Sequence, residues 1–135
     1  MTFDINEWKI NCPFRMCVCG SSGAGKTNFV LQLIQYAHYM LTNMPDRIIY
    51  CYSVLQPKLE NLAKENKLVE LHEGFSSDIY ENHDPSQHML LCIDDMMSMD
   101  IFRELSDLFT KYSRHKNISV IFLTQVNNRY IYIYI

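Results

Sequence analysis

The sequence predicts an α/β fold with a mostly parallel sheet. Three observations carry this expectation. Short apolar runs at 14–19, 47–52, 88–93 and 118–125 alternate with segments of helical spacing. Two of the runs, 88–93 and 118–125, are almost continuously apolar, as strands covered on both faces must be. The first run leads into a glycine-rich loop that opens a helix, a strand–loop–helix arrangement with its own chemistry.

Each element can be justified in turn. Residues 1–12 are a polar lead-in containing Trp8. Phe14-Arg15-Met16-Cys17-Val18-Cys19 reads as a buried strand. Val30, Leu33, Ile34, Ala37, Met40 and Leu41 recur at spacings of three and four, which predicts one helix from about Thr27 to Leu41 with one buried face. Thr42-Asn43-Met44-Pro45-Asp46 ends it. Arg47–Tyr52 is the second strand, and Pro57 sits in the first turn of a helix running to about Asn66. Leu68–Leu71 is a brief extended piece, and 74–87 is loop with one helical turn at Asp78–Glu81. After the 88–93 strand, Ile101, Phe102, Leu105, Leu108, Phe109 and Tyr112 mark the inner side of a helix at about 100–112. The run Ile118–Gln125 is the last core strand.

Composition narrows the function. The chain has 135 residues, enough for one core; 48% are hydrophobic and 20% charged, which excludes disorder. The net charge of −3 gives no overall pull toward nucleic acid, so any DNA contact must come from a local basic patch or from assembly. Four of the five cysteines (Cys12, Cys17, Cys19, Cys51, Cys92) fall in or beside predicted strands, as reduced, packed thiols of an intracellular protein would. Cys17 and Cys19 share a strand face, but no second Cys/His pair at ligand spacing predicts zinc. No secretory leader and no membrane-spanning run is predicted.

The chemistry concentrates in Gly20-Ser21-Ser22-Gly23-Ala24-Gly25-Lys26-Thr27, a complete G-x-x-x-x-G-K-[ST] phosphate-binding loop in its required setting between strand and helix. Glycines let backbone N–H groups turn inward around a phosphate, and the helix N-terminus adds partial positive charge. Lys26 would reach the β- and γ-phosphates, and the Thr27 hydroxyl would bind Mg²⁺.

A phosphate loop needs an acid at the end of another strand. Asp94 ends the 88–93 run and would orient water on the Mg²⁺ held by Thr27. Asp95 follows; it either polarises the attacking water or caps the next turn. Thr124-Gln125 ends the last strand. Gln125 would sit beside the γ-phosphate if that strand lies between the loop strand and the acid strand; otherwise it is a polar strand end in solvent. Functional logic therefore predicts the 118–123 strand between 14–19 and 89–93, all parallel, with 47–52 outside. Arg114, in the turn Ser113-Arg114-His115-Lys116-Asn117, is either an arginine offered to a neighbouring subunit's γ-phosphate or part of a solvated basic turn. No role is assigned to the five histidines, and the eight methionines read as packing residues.

With these residues in hand, the chain resembles the DNA-packaging ATPases of the FtsK–HerA superfamily, in particular the poxvirus-like and Polinton/Maverick-like group. The matching segments are Gly20–Thr27 with Asn28, Tyr50-Cys51-Tyr52-Ser53, Leu91–Met96, and the basic turn of 113–117 running into the strand capped by Thr124-Gln125. The resemblance covers about residues 12–125. It implies a P-loop NTPase core of the RecA-like, additional-strand type. ATP would bind the loop residues Gly20 to Asn28, and Mg²⁺ would lie between Thr27 and Asp94. It further implies a homo-oligomeric ring that moves double-stranded DNA into a capsid, with capsid or portal proteins as partners. The ATPase core is expected at 13–128, followed by a Tyr/Ile tail at 129–135. Family members continue well beyond the Thr-Gln strand, whereas this chain closes on the Tyr/Ile alternation that a TAT-ATA repeat encodes. A C-terminally truncated core, and with it a nucleotide-binding remnant without turnover, is therefore the competing expectation. A nucleotide kinase is a third, weakened by the lack of arginine in 74–87. Without an N-K-x-D motif, a GTPase is weaker still.

Overall fold

A computed structural model describes residues 8–94, 99–126 and 130–135. Among these residues, five parallel strands and one antiparallel strand form a single sheet: β1 (Arg15–Gly20), β2 (Arg47–Tyr52), β3 (Val69–Glu73), β4 (Met89–Asp94), β5 (Ile118–Gln125) and β6 (Tyr132–Tyr134), in the spatial order β3-β2-β4-β5-β1-β6. The strand order expected from functional logic is thus the one observed, with β5 between β1 and β4 and β2 outside β4. The alternative, an acid strand directly beside the loop strand, does not occur. β6 pairs antiparallel with β1, Val18 opposite Ile133.

Side-chain alternation along the strands divides the core into two layers. On one face Met16, Val18, Ile48, Tyr50, Leu90, Cys92, Ile121 and Leu123 pack beneath α1 (Lys26–Gln35), α2 (Ala37–Met40) and α3 (Pro57–Glu65). On the other, Ile49, Cys51, Leu91, Ile93, Val120 and Phe122 meet Tyr80 of α4 (Asp78–Glu81), Leu105 of α5 (Met99–Asp107), and Leu108 of the π-helical turn Leu108–Tyr112. A short α6 (Ser113–His115) and Asn117, at φ 59°, turn the chain into β5. Among the described residues no helix is long and apolar enough to cross a membrane.

The structure corrects the sequence expectation at the first helix. The helix drawn from Thr27 to Leu41 is two helices. Tyr36, at φ −107° and ψ 24°, interrupts it, and Leu41 is already extended. The apolar stripe survives because the chain re-enters helix one residue later. Leu33 and Ile34 before the break and Ala37 after it are all buried in the same core layer. The lead-in is also tied down at its end: the Ile10 N–H donates to the Met40 carbonyl, and its carbonyl accepts the Thr42 N–H.

A buried polar bridge joins the three central strands. Ser119 Oγ on β5 accepts the Phe14 N–H at the entry to β1 (3.1 Å) and lies 2.7 Å from His88 Nε2 at the entry to β4. Burial lowers the His88 pKa below its ordinary value near 6.5, outweighing Asp46 and the Met44 and Asn43 backbone, which raise it.

Candidate functional site

Parallel strands deliver their carboxyl ends to one edge of the sheet. Gly20 is in register with Gln125, and Asp94 with Leu123, so the loop, the acid and the glutamine converge there although they are far apart in sequence. Val126 N–H closes the β1–β5 edge on the Gly20 carbonyl at 3.0 Å.

The loop takes the shape its glycines permit. Gly23 and Gly25 have φ of 82° and 97°, conformations that side-chain-bearing residues rarely adopt. Ala24 N–H bonds back to the Ser21 carbonyl at 3.0 Å. Gly25 is the N-cap of α1, so Lys26 and Thr27 stand on its first turn. Lys26 is buried, its ammonium donating to the Gly20 carbonyl at 2.8 Å. The ammonium therefore lies curled along the loop. The later chain closes over the loop: a Cβ on Gly20 would lie 3.4 Å from the Tyr130 carbonyl oxygen, and one on Gly25 3.7 Å from Ile131 Cδ1.

Asp94 reaches the loop from two strands away. Its Oδ2 is 3.4 Å from Thr27 Oγ1, a long contact, and accepts a 2.6 Å hydrogen bond from the Tyr50 phenol on β2. Burial, and then the Asp94 carboxylate, push the Tyr50 pKa far up, so the hydroxyl keeps its proton and acts as a donor. A cleft of ≈ 270 Å³ opens between these elements, lined by Ser22, Gly23, Gly25, Lys26, Thr27, Asn28, Gln56, Lys58 and Asp94. Lys58 Nζ is 3.4 Å from Asn28 Oδ1, which brings a second cation from α3 to its wall. One hydroxyl and one carboxylate side by side, in a cleft walled by backbone N–H groups and lysines, suit a hard divalent cation that takes its other ligands from phosphate and water.

The remaining expected residues fall as follows. Gln125 is exposed at the same sheet edge but is not one of the described residues that line the cleft. Asp95 lies outside the described residues. Arg114 is exposed and precedes β5, at the opposite edge of the sheet from the loop, about 20 Å away along the strand. There it flanks a second cavity with Arg15, Phe109 and Tyr134. Its position keeps it out of its own chain's cleft. Sequence reasoning missed Tyr50, Gln56 and Lys58; Tyr50 enters it only as part of a matching segment. The missing signal was strand adjacency. β2 pairs with β4 so that Tyr50 is opposite Cys92, two residues before Asp94 and on the same face.

Comparison with known proteins adds family membership. Residues 2–133 match the family described as Poxvirus A32 protein. The chain is 31% identical over 140 residues to the DNA packaging protein OPG160 of Variola virus, covering 90% of this chain and 49% of that protein. Against the DNA packaging protein OPG160 of Vaccinia virus (strain Copenhagen) it is 31% identical over 135 residues, covering 86% and 47%. With its Monkeypox virus counterpart it again shares 31% over 135 residues, covering 86% and 42%. The chain spans about half the length of these curated relatives. No solved structure matches it. The match of the family model along nearly the whole sequence settles the relationship: the chain belongs to the poxvirus A32 protein family.

Proposed function

We propose that this chain is a Mg·ATP-binding and ATP-hydrolysing domain of RecA-like P-loop type, acting in the packaging of double-stranded DNA. The observation that carries the reading is the meeting of Thr27 and Asp94, 67 residues apart, at the mouth of a glycine loop with the buried Lys26 beside them. The strand order supports the RecA-like assignment, since it puts β5 and its terminal Gln125 between the loop strand and the acid strand.

Roles follow from position. Backbone N–H groups of Gly23 to Lys26 and the start of α1 would hold the β-phosphate. The Lys26 ammonium would exchange the Gly20 carbonyl for phosphate oxygens, and Lys58 would add positive charge at the outer wall. Thr27 and Asp94 would hold Mg²⁺, which supplies charge neutralisation between the β- and γ-phosphates when bound. Asp95 would take the proton of the attacking water, and Gln125 would orient that water. Arg114 is the candidate for donation to a neighbouring subunit's γ-phosphate, because it stands far from its own cleft. DNA as substrate, a ring of identical subunits, capsid or portal partners and an intracellular site of action come from the relatives' description as DNA packaging proteins and from the family resemblance.

The test is binding and turnover of ATP by the purified chain, with and without double-stranded DNA. Lys26→Ala is expected to lose nucleotide binding, since it removes the only buried cation among the described residues of the cleft. Equal binding of labelled ATP by Lys26→Ala and the parent would refute the site.

A further inference from the structure

Tyr50 is among the largest fully buried side chains in the protein, on the inner strand β2. Its neighbours in the core, Ile48, Leu90 and Cys92, are apolar. Phenylalanine would fill this position without bringing a hydroxyl that needs a partner. The hydroxyl has one: it donates to Asp94 Oδ2 at 2.6 Å, a short, charge-assisted bond. That same oxygen faces Thr27 Oγ1. Tyr50 thus reaches, through a rigid two-torsion side chain, the carboxylate that closes the cleft opposite the loop.

We infer that Tyr50 is a positioning residue for the metal-facing acid: its hydroxyl fixes the rotation of the Asp94 carboxylate against Thr27 before nucleotide arrives. The inference rests on the reading of the cleft as a Mg·ATP site. Tyr50 touches neither nucleotide nor cation in this role; it acts through Asp94. Carboxylates that serve metals are themselves held by hydrogen bonds, and loss of such an outer partner typically weakens metal binding by about 10- to 100-fold.

The test measures binding of a fluorescent ATP analogue, first in EDTA and then across a Mg²⁺ titration. The proteins are the parent, Tyr50→Phe, Tyr52→Phe, Asp94→Asn and the Tyr50→Phe/Asp94→Asn double variant. Tyr50→Phe is expected to bind the analogue in EDTA as the parent does, while the Mg²⁺ concentration for half-maximal tightening rises about 10- to 100-fold. Tyr52→Phe, which removes a hydroxyl from the same strand, is expected to keep the parent's Mg²⁺ dependence. In the Asp94→Asn background, Tyr50→Phe is expected to add less than about twofold, because residues acting as one unit are non-additive. An unaltered Mg²⁺ dependence in Tyr50→Phe, or the same penalty with and without Asp94, overturns the inference while leaving the nucleotide cleft intact. A parent that binds no nucleotide overturns both. If Tyr50→Phe does not fold, the parent decides: the Tyr50 hydroxyl proton should appear as a slowly exchanging downfield NMR signal. It should vanish in Asp94→Asn and shift when Mg²⁺ joins bound nucleotide. A signal indifferent to Mg²⁺ overturns the inference.

Discussion

Ser119→Ala deletes one oxygen, yet that oxygen, on β5, bonds to the residues that lead into β1 and β4. Ser119 is fully buried, and its partners His88 and Phe14 are each 4% exposed. The substitution orphans the Phe14 N–H and the His88 ring nitrogen at once. An orphaned buried polar group costs about 1–3 kcal/mol, so two cost about 2–6 kcal/mol. The deleted oxygen leaves less room than a water needs, so solvent does not restore either bond. A domain of this size has a total stability of about 5–15 kcal/mol, so the loss is a large fraction of it. With an m-value of about 2 kcal/mol/M, the urea midpoint should fall by about 1–3 M. Equilibrium urea unfolding followed by fluorescence measures this, with the exposed Ser106→Ala as the reference for a harmless serine deletion. A midpoint for Ser119→Ala within a few tenths of a molar of that reference would refute the argument that the bridge clamps the central strands.

Other outcomes follow from the proposed roles of the two acids and from the burial of His88. Asp94→Asn should weaken Mg²⁺-dependent nucleotide binding, whereas Asp95→Asn should leave binding largely intact and lower hydrolysis; filter binding and phosphate release separate the two, and indistinguishable variants would contradict the assignment. The depressed pKa of His88 makes the unfolded chain the better proton acceptor, so His88 contributes to a stability that is intact above about pH 6.5 and declines as pH falls below it. Urea midpoints compared across that range for the parent and His88→Gln should show a steeper acid loss in the parent, and parallel curves would contradict it.

Much of this fold was legible because a parallel strand is buried on both faces. Met89–Asp94 and Ile118–Gln125 announce themselves as apolar runs, and Arg47–Tyr52 falls where its run begins and ends. The order of the strands was legible only through the expectation that Gln125 serves a γ-phosphate, which this order alone allows. Helical periodicity told which residues of 27–41 face the core. It could not tell that the hydrogen-bond ladder breaks at Tyr36, because the break preserves the apolar stripe. The loop residues were legible because their spacing is a local constraint. Tyr50 and Lys58 were not, because their partners Asp94 and Asn28 are 44 and 30 residues away and only the folded sheet brings them near. The π-helical turn at Leu108–Tyr112 leaves no mark in the apolar spacing of its sequence.

The sheet's order also governs when the chain can fold. Among the described strands β1 neighbours β5 and β6 alone, and Arg15 pairs with Val120, late in the chain. β2, β3 and β4, by contrast, pair among themselves within residues 47–94. Closing the long loop costs entropy before any pairing offsets it, and synthesis delivers the N-terminus first. On a ribosome, the strand bearing the glycine loop must therefore wait, without its sheet partners, until Ile118–Gln125 has emerged. The nascent β2–β3–β4 unit can assemble early, but the cleft between the glycine loop and Asp94 comes into being only when β5 slides between β4 and β1, so the site is complete no sooner than the sheet.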